Sequence, residues 1–123
     1  MDENKVKFIL NKLGYTTNNI NNLELFVQKL IKYNKKYNLI SKNTEKIVWE
    51  RHILDSAQLI KYINKENSKN VADFGSGAGF PGLILAFSSN ENNFHVKLYE
   101  KSIIKRNFLL DVIKEFDLNV TVE

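Results

Sequence analysis

Four of the five glycines in this 123-residue chain, and its one proline, fall within residues 75–82. This segment, the glycine loop, has the sequence GSGAGFPG and lies between a predicted strand and a predicted helix. Glycines are costly in backbone entropy, so such a density is expected where the backbone turns tightly and a ligand approaches it closely. Free N–H groups at the start of the helix favour an anionic ligand group. The loop therefore predicts a nucleotide-type binding site, with a tight turn that binds nothing as the plainer alternative.

The residues around the glycines bear on which ligand the loop takes. Counted from Gly75, the first glycine after the strand, Phe80 stands where a dinucleotide fingerprint has its last glycine. The Gly-Lys-Ser/Thr ending of a Walker A loop is absent from the sequence. The pattern that starts at Asp73, acidic-x-Gly-x-Gly-x-Gly, resembles motif I of class I methyltransferases. That resemblance implies S-adenosyl-L-methionine as cofactor, with Asp73 beside its methionine ammonium.

A second acid, Glu100, ends the next predicted strand, 21 residues after Gly79. A carboxylate at the tip of the second strand can accept hydrogen bonds from two ribose hydroxyls. Nicotinamide enzymes also bind ribose through an acid at this position. Glu100 therefore supports a ribose-containing cofactor but does not distinguish S-adenosyl-L-methionine from a nicotinamide cofactor. Taken alone, an acid at a strand end is more often simply solvated.

The residues that precede the loop form a predicted helical region over 1–68. Apolar side chains at helical spacing predict helices over 2–13 and 22–37, and Gly14 is a typical residue to end the first of them.

Polar residues in this region are predicted to cap helices. Asn21 and Glu24 resemble a capping box at the start of the helix over 22–37. Thr44 is a predicted cap for a third helix that contains Trp49, and Asp55 for a fourth.

The pattern changes after residue 69. It predicts strands and helices in alternation: strand 70–74, helix 82–88, strand 94–100, helix 102–116 and strand 119–122. A β-α-β-α-β order requires a parallel sheet with right-handed crossovers. We therefore predict the α/β class, with residues 69–123 forming the first half of a Rossmann-like class I methyltransferase domain, truncated after about three strands.

Three segments resemble one family in particular. They are KYNLIS at residues 36–41, RHILDS at 51–56 and DFGSGAGFPG at 73–82. In order and spacing they are similar to the bacterial RsmG (GidB) methyltransferases, which make N7-methylguanosine in 16S ribosomal RNA. The resemblance implies an S-adenosylmethionine-dependent enzyme that acts on the small ribosomal subunit.

The resemblance also implies site residues. Cofactor contacts are expected from the loop and its flanking acids: Asp73, Gly75, Ser76, Gly77, Gly79, Phe80 and Glu100. Pocket or RNA contacts are expected from two other segments: Arg51, His52, Asp55, Lys105 and Arg106.

Structural roles compete with these assignments. Arg51 and Asp55 are four residues apart and can pair on one helix face. His52 is equally typical of a half-buried, hydrogen-bonded histidine. Lys105 and Arg106 are equally typical of a solvated helix face. No catalytic residue is assigned, because N7 of guanine carries no proton and its methylation needs no general base.

Composition and charge set the remaining expectations. The chain has no cysteine, which excludes thiolate metal sites, and no metal is expected. It has no apolar run of membrane-spanning length, and its charged start is unlike a signal peptide, so we expect a cytoplasmic protein without membrane contact, monomeric at full length. Residues 1–70 carry 13 basic and 7 acidic side chains, a balance that fits an RNA partner or an ordinary solvated surface.

Other functions stay open at this point. They are a methyltransferase for protein or small molecules, a nicotinamide-dependent oxidoreductase, and a non-catalytic RNA-binding or assembly module. Because the sequence stops in its third predicted strand, we expect it to behave as a marginally stable, inactive fragment with an exposed strand edge.

Overall fold

The computed structural model describes residues 1–66, 70–89 and 93–123. Helices precede the first strand, and strands and helices then alternate. The helices are α1 (Glu3–Lys12), α2 (Thr17–Tyr37), α3 (Lys42–Glu45), α4 (Asp55–Ala57), α5 (Ile60–Glu66), α6 (Gly82–Ala86) and α7 (Ile103–Phe116), with a π-helical segment at Trp49–Leu54. The strands are β1 (Asn70–Phe74), β2 (His95–Tyr99) and β3 (Val120–Val122). Within the described ranges, no helix is both long and apolar enough to cross a membrane.

The three strands form one parallel sheet in the order β1-β2-β3. In β2, Val96 and Leu98 are buried and Lys97 between them is exposed, so one face of the sheet packs on the core. The parallel α/β arrangement confirms the predicted fold class. On β1, Ala72 and Phe74 lie on the exposed face, and within the described residues β1 pairs only with β2.

One hydrophobic core joins the helical region to the sheet. Phe26 of α2 is fully buried, and its ring centroid lies 5.6 to 6.1 Å from those of Phe80, Phe87 and Phe108. Tyr15, between α1 and α2, donates a hydrogen bond of 2.8 Å to the carbonyl of Ile84 in α6. The division near residue 68 stays a prediction; the boundary itself lies outside the described residues.

The second helix begins earlier than the sequence pattern indicated. Thr16 is its N-cap and forms a capping box with Asn19, in which each side chain accepts from the other residue's backbone N–H. Asn21 and Glu24 therefore lie inside the helix, and the prediction that they cap it was wrong. Several polar residues in TTNNINN are suited to capping, and burial of Ile20 favours the earlier start.

The caps proposed for the third and fourth helices were also wrong. Ser41 caps α3, accepting from the Thr44 backbone N–H at 3.3 Å, and Trp49 lies outside α3 in the π-helical segment. Asp55 has helical backbone angles, continues directly from that segment, and makes no side-chain cap bond. Local pattern cannot show that a neighbouring turn already satisfies the backbone groups that a cap would serve.

Candidate functional site

The glycine loop leaves the end of β1 and is tied to the end of β2. The backbone N–H groups of Gly75 and Ser76 both donate to the Tyr99 carbonyl, at 2.8 and 3.2 Å. The loop then turns back on itself, with Gly79 N–H donating to the Ser76 carbonyl at 2.8 Å. The loop therefore sits at the carboxyl edge of the parallel sheet, where ligands bind in open α/β folds.

The four loop glycines serve two different purposes. Gly75 and Gly77 have φ of +74° and +57°, and a Cβ built on either would meet nothing within 4 Å. A Cβ on Gly79 would lie 2.4 Å from Leu83 Cδ1, and one on Gly82 would lie 2.3 Å from Leu98 Cδ2. The first two glycines leave open space above the backbone, whereas the last two allow α6 to pack closely on the loop and sheet.

Asp73 connects the end of β1 to the start of α6. Its Oδ2 accepts a hydrogen bond of 3.0 Å from the backbone N–H of Gly82, and the residue is only 9% exposed. Burial raises the pKa of the Asp73 carboxyl, and the bond from Gly82 opposes that rise. The carboxylate therefore fixes the shape of the loop whether or not it also meets a ligand.

Glu100 lies directly beneath the loop. Its Oε1 accepts from Gly77 N–H at 2.7 Å and its Oε2 from Ser102 N–H at 2.9 Å. These bonds, that from Ser102 first, lower the pKa of Glu100. The carboxylate stays ionised and braces the loop; its predicted ribose contact stays a prediction.

An open cleft of about 510 Å³ lies beside these residues. It is lined by residues at the carboxyl ends of the strands: Phe74, Gly75, Tyr99, Glu100, Lys101 and Glu123. The rings of Phe74 and Tyr99 are stacked, with centroids 4.7 Å apart. The sequence analysis did not predict this aromatic pair. It could have been predicted, because an aromatic residue is the last residue of each of two neighbouring strands.

The structure places His52 against the glycine loop. Its ring stacks on Phe80 with centroids 4.6 Å apart, and its Nε2 lies 3.1 Å from Thr44 Oγ1. Burial, followed by the charge of Arg51, lowers the pKa of His52. The ring of His52 therefore brings the RHILDS segment into contact with the loop.

The other two polar residues of the segment behave differently. Arg51 and Asp55 are both exposed, and no ion pair within 4.0 Å joins them among the described residues. They lie where π-helical winding meets α4, so residues four apart are not stacked as in a regular α-helix. The interpretation of these two residues as an ion pair was wrong.

Arg106 and Lys105 are near the loop at the start of α7. The Arg106 guanidinium donates to the Glu100 carbonyl at 3.1 Å and to the Glu123 carbonyl, so it joins the ends of β2 and β3. The side chain is therefore half-buried rather than fully solvated, and its predicted contact with cofactor or RNA stays a prediction. Lys105 is half-buried, and its charge helps to lower the pKa of Glu100.

No cluster of three or more potential metal ligands occurs in the described ranges 1–66, 70–89 and 93–123. What the site offers instead is an open stretch of loop backbone, two carboxylates and an aromatic-lined cleft.

A helical N-terminal region is followed by a three-stranded parallel sheet, with a glycine loop after β1 and an acid after β2, an arrangement consistent with a class I methyltransferase fold truncated after three strands. Residues 19–122 match the family model described as "GidB: rRNA small subunit methyltransferase G". The chain belongs to this family.

Curated relatives carry the same description. The chain is 43% identical over 103 residues to "Ribosomal RNA small subunit methyltransferase G" of Pelagibacter ubique, which covers 80% of this chain and 48% of the relative. The protein of that name from Rickettsia bellii is 41% identical, over 84% of this chain and 52% of the relative. The protein of that name from Paramagnetospirillum magneticum is 37% identical, over 93% of this chain and 54% of the relative. The chain spans about half the length of these relatives.

Family membership also resolves an ambiguity in the glycine spacing. Counted from Gly77 instead of Gly75, the loop does fit G-x-G-x-x-G, with Gly79 and Gly82 at the third and sixth positions. Spacing alone therefore does not exclude a dinucleotide. The family match is what favours a methyltransferase.

Proposed function

We propose that this chain forms the cofactor-binding half of an S-adenosyl-L-methionine-dependent methyltransferase that modifies N7 of a guanosine in 16S ribosomal RNA. The proposal rests on the glycine loop. Its backbone is held by Asp73 and Glu100 and is open to a ligand at Gly75 and Gly77. The family and the names of the relatives support ribosomal RNA as the substrate and the cytoplasm as the location.

The residues present fit this cofactor. Open space above Gly75 and Gly77 would let the methionine and ribose portions lie against the loop backbone. The Glu100 carboxylate, which already accepts from the backbone N–H groups of Gly77 and Ser102, has about four lone-pair sites and could also accept from a ribose hydroxyl. Phe74 and Tyr99 offer an apolar wall beside the same carboxylate.

Methyl transfer to N7 of guanine needs no general acid or base from the protein. The bound cofactor would supply a methyl group on a positively charged sulfur. N7 of guanine is an unprotonated lone pair, so no residue has to remove a proton from it. The task of this chain is to orient the cofactor and to keep the site shaped around it. Asp73 and Glu100 accept from the loop backbone at Gly82 and Gly77, which supports a role in keeping the loop in shape.

Titration calorimetry with S-adenosylhomocysteine and, separately, with NAD tests the proposal. The chain is expected to bind S-adenosylhomocysteine and to leave NAD unbound at the same concentration. Binding of NAD alone would support an oxidoreductase. Salt-dependent RNA binding with neither cofactor would support the non-catalytic module instead.

A further inference from the structure

A pocket of about 320 Å³ lies between α2 and α7, outside the cofactor cleft. Its lining combines aromatic, apolar and polar side chains: Tyr33, Tyr37, Ile104, Asn107, Phe108 and Asp111. Tyr33 packs on both neighbours, with ring centroids 5.1 Å from Phe108 and 6.2 Å from Tyr37. Tyr37 is 38% exposed and Ile104 is 49% exposed, so the mouth of the pocket presents an aromatic and an aliphatic surface to solvent.

The two helices run in opposite directions, which places the mouth of the pocket near the cofactor cleft. Lys29 pairs with Glu115 at 2.6 Å and Tyr33 bonds to Asp111 at 2.6 Å, so the end of α2 meets the start of α7. Ile104 is four residues after Glu100, a separation of at most about 14 Å along the chain. A polymer that reaches the cleft would therefore pass close to the pocket.

The chain segment that contains the pocket residues Tyr33 and Tyr37 is basic. Residues 32–46 hold five lysines and one acid, a net charge as large as that of the whole chain, and all five lysines are exposed. The ammonium of Lys36 lies 5.2 Å from the centre of the Tyr37 ring. The acid in the pocket is already compensated, because Asp111 Oδ2 accepts from Tyr33 and lies 3.2 Å from Lys29 Nζ.

We propose that this pocket binds an unpaired nucleobase of the RNA strand that flanks the target guanosine, with Lys36, beside the Tyr37 ring, against one of its phosphates. Exposed aromatic rings beside lysines are the usual means of holding single-stranded nucleic acid, since every base has a stacking face. The side chains of Asn107 and Asp111 can hydrogen-bond to a base edge. The inference rests on the proposed function for its choice of RNA as the occupant.

Fluorescence anisotropy with a labelled single-stranded oligoribonucleotide tests the proposal. Tyr37→Ala is expected to weaken binding about tenfold, as loss of one stacked base does, and Tyr37→Phe to stay within about twofold. Tyr62→Ala is the matched control, because Tyr62 is also exposed and also has a lysine over its ring, Lys61 at 5.4 Å, but lies on α5. It is expected to bind within about twofold of the unaltered chain.

Two further variants separate stacking from charge. Salt dependence is measured as the slope of the logarithm of the binding constant against the logarithm of the salt concentration. Lys36→Ala is expected to reduce this slope by about one unit, and Tyr37→Ala is expected to leave it unchanged. Ile104→Asp, on the other side of the mouth, is expected to weaken binding by about tenfold or more and covers the case in which Tyr37→Ala fails to fold. A duplex of the same sequence is expected to compete poorly.

The proposal is overturned if Tyr37→Ala and Ile104→Asp bind RNA as tightly as the unaltered chain, if Tyr62→Ala loses as much affinity, or if the duplex competes equally well. Calorimetry on Tyr37→Ala keeps this result separate from the proposed function. Unchanged S-adenosylhomocysteine binding with unchanged RNA binding would refute the pocket alone. Absence of S-adenosylhomocysteine binding in the unaltered chain would refute the methyltransferase assignment, whatever the RNA result.

Discussion

At the scale of single residues, three charged side chains near the loop have backbone partners. Asp73 accepts from Gly82, Glu100 accepts from Gly77 and Ser102, and Arg106 donates to carbonyls at two strand ends. The sequence indicated that Asp73 and Glu100 would lie at the ends of two strands, but not that Arg106 would join strand ends. It could not show these partners, because the positions of the N–H and carbonyl groups exist only once the loop has folded.

Asp73→Asn separates the structural role of this side chain from its proposed role in binding. The amide oxygen can still accept from Gly82, and burial already disfavours the charged form, so the free energy of unfolding is expected to change by less than about 1 kcal/mol. S-adenosylhomocysteine affinity is expected to fall about tenfold or more, since a charge-assisted bond to its ammonium is lost. Urea unfolding and calorimetry measure the two effects.

Asp73→Ala is the comparison variant. It removes the acceptor for a buried N–H group and is expected to cost about 1–3 kcal/mol of stability. If Asp73→Asn keeps full affinity for S-adenosylhomocysteine, the carboxylate serves only to shape the loop.

At the scale of elements, the strands and α7 were predictable because their apolar residues repeat with a clear period. β1 and β2 lie within one residue of the predicted ranges, and α7 begins one residue later than predicted. The starts of α2 and α3 were not predictable, since several Thr, Asn and Ser residues compete as caps and tertiary packing selects among them. The π-helical winding at Trp49–Leu54 also has no local signal, because its apolar residues fit a 3.6-residue period equally well.

Alanine at two loop glycines should give opposite patterns of damage. The methyl group of Gly77→Ala would contact no other atom, so only the left-handed backbone is strained, and the free energy of unfolding is expected to fall by about 1–2 kcal/mol. The same methyl group would occupy the proposed cofactor position. Gly79→Ala adds a clash with Leu83 to the same strain and is expected to lose more than about 2 kcal/mol. Thermal unfolding and S-adenosylhomocysteine binding together measure the pattern.

The outcome that contradicts this division is a Gly77→Ala variant that binds S-adenosylhomocysteine normally. It would show that the ligand does not approach the loop backbone at that glycine.

His52 should make the contact between the RHILDS segment and the loop sensitive to pH. Its folded-state pKa is lowered by burial and by Arg51, so the folded protein binds fewer protons at this ring than the unfolded chain does. Stability is therefore fully present above the unfolded pKa of 6.5 and is lost as the pH falls through the lower, folded pKa.

His52→Phe is expected to keep the stack on Phe80 and to remove this part of the pH dependence between pH 7 and 5.5. His95→Gln, which alters the other histidine of the chain, should retain it. Urea unfolding at the two pH values measures the difference. An unchanged pH dependence in His52→Phe would place the titrating group elsewhere.

At the scale of the whole molecule, the helical region and the sheet share one core, and Phe26 lies at their junction. Phe26→Ala is expected to lower the free energy of unfolding by about 3–5 kcal/mol, a large share of the stability of a small domain. Phe8→Ala, at a ring that is 66% exposed, is expected to change it by less than about 0.5 kcal/mol.

The same core predicts a single unfolding transition. Fluorescence of Trp49, the one tryptophan, reports the helical region, and circular dichroism reports the whole chain. The two signals should change at the same urea concentration in the unaltered chain. Separate midpoints would indicate two independently stable units.

In the proposed function, the glycine loop and Glu100 bind the methionine and ribose portions of a methyl donor. Amide NMR of the ¹⁵N-labelled chain during titration with S-adenosylhomocysteine tests it most directly. The largest shifts are expected at the amides of Gly75, Gly77 and Glu100, with little change along α1. Shifts confined to other parts of the chain, or none at saturating ligand, would contradict it.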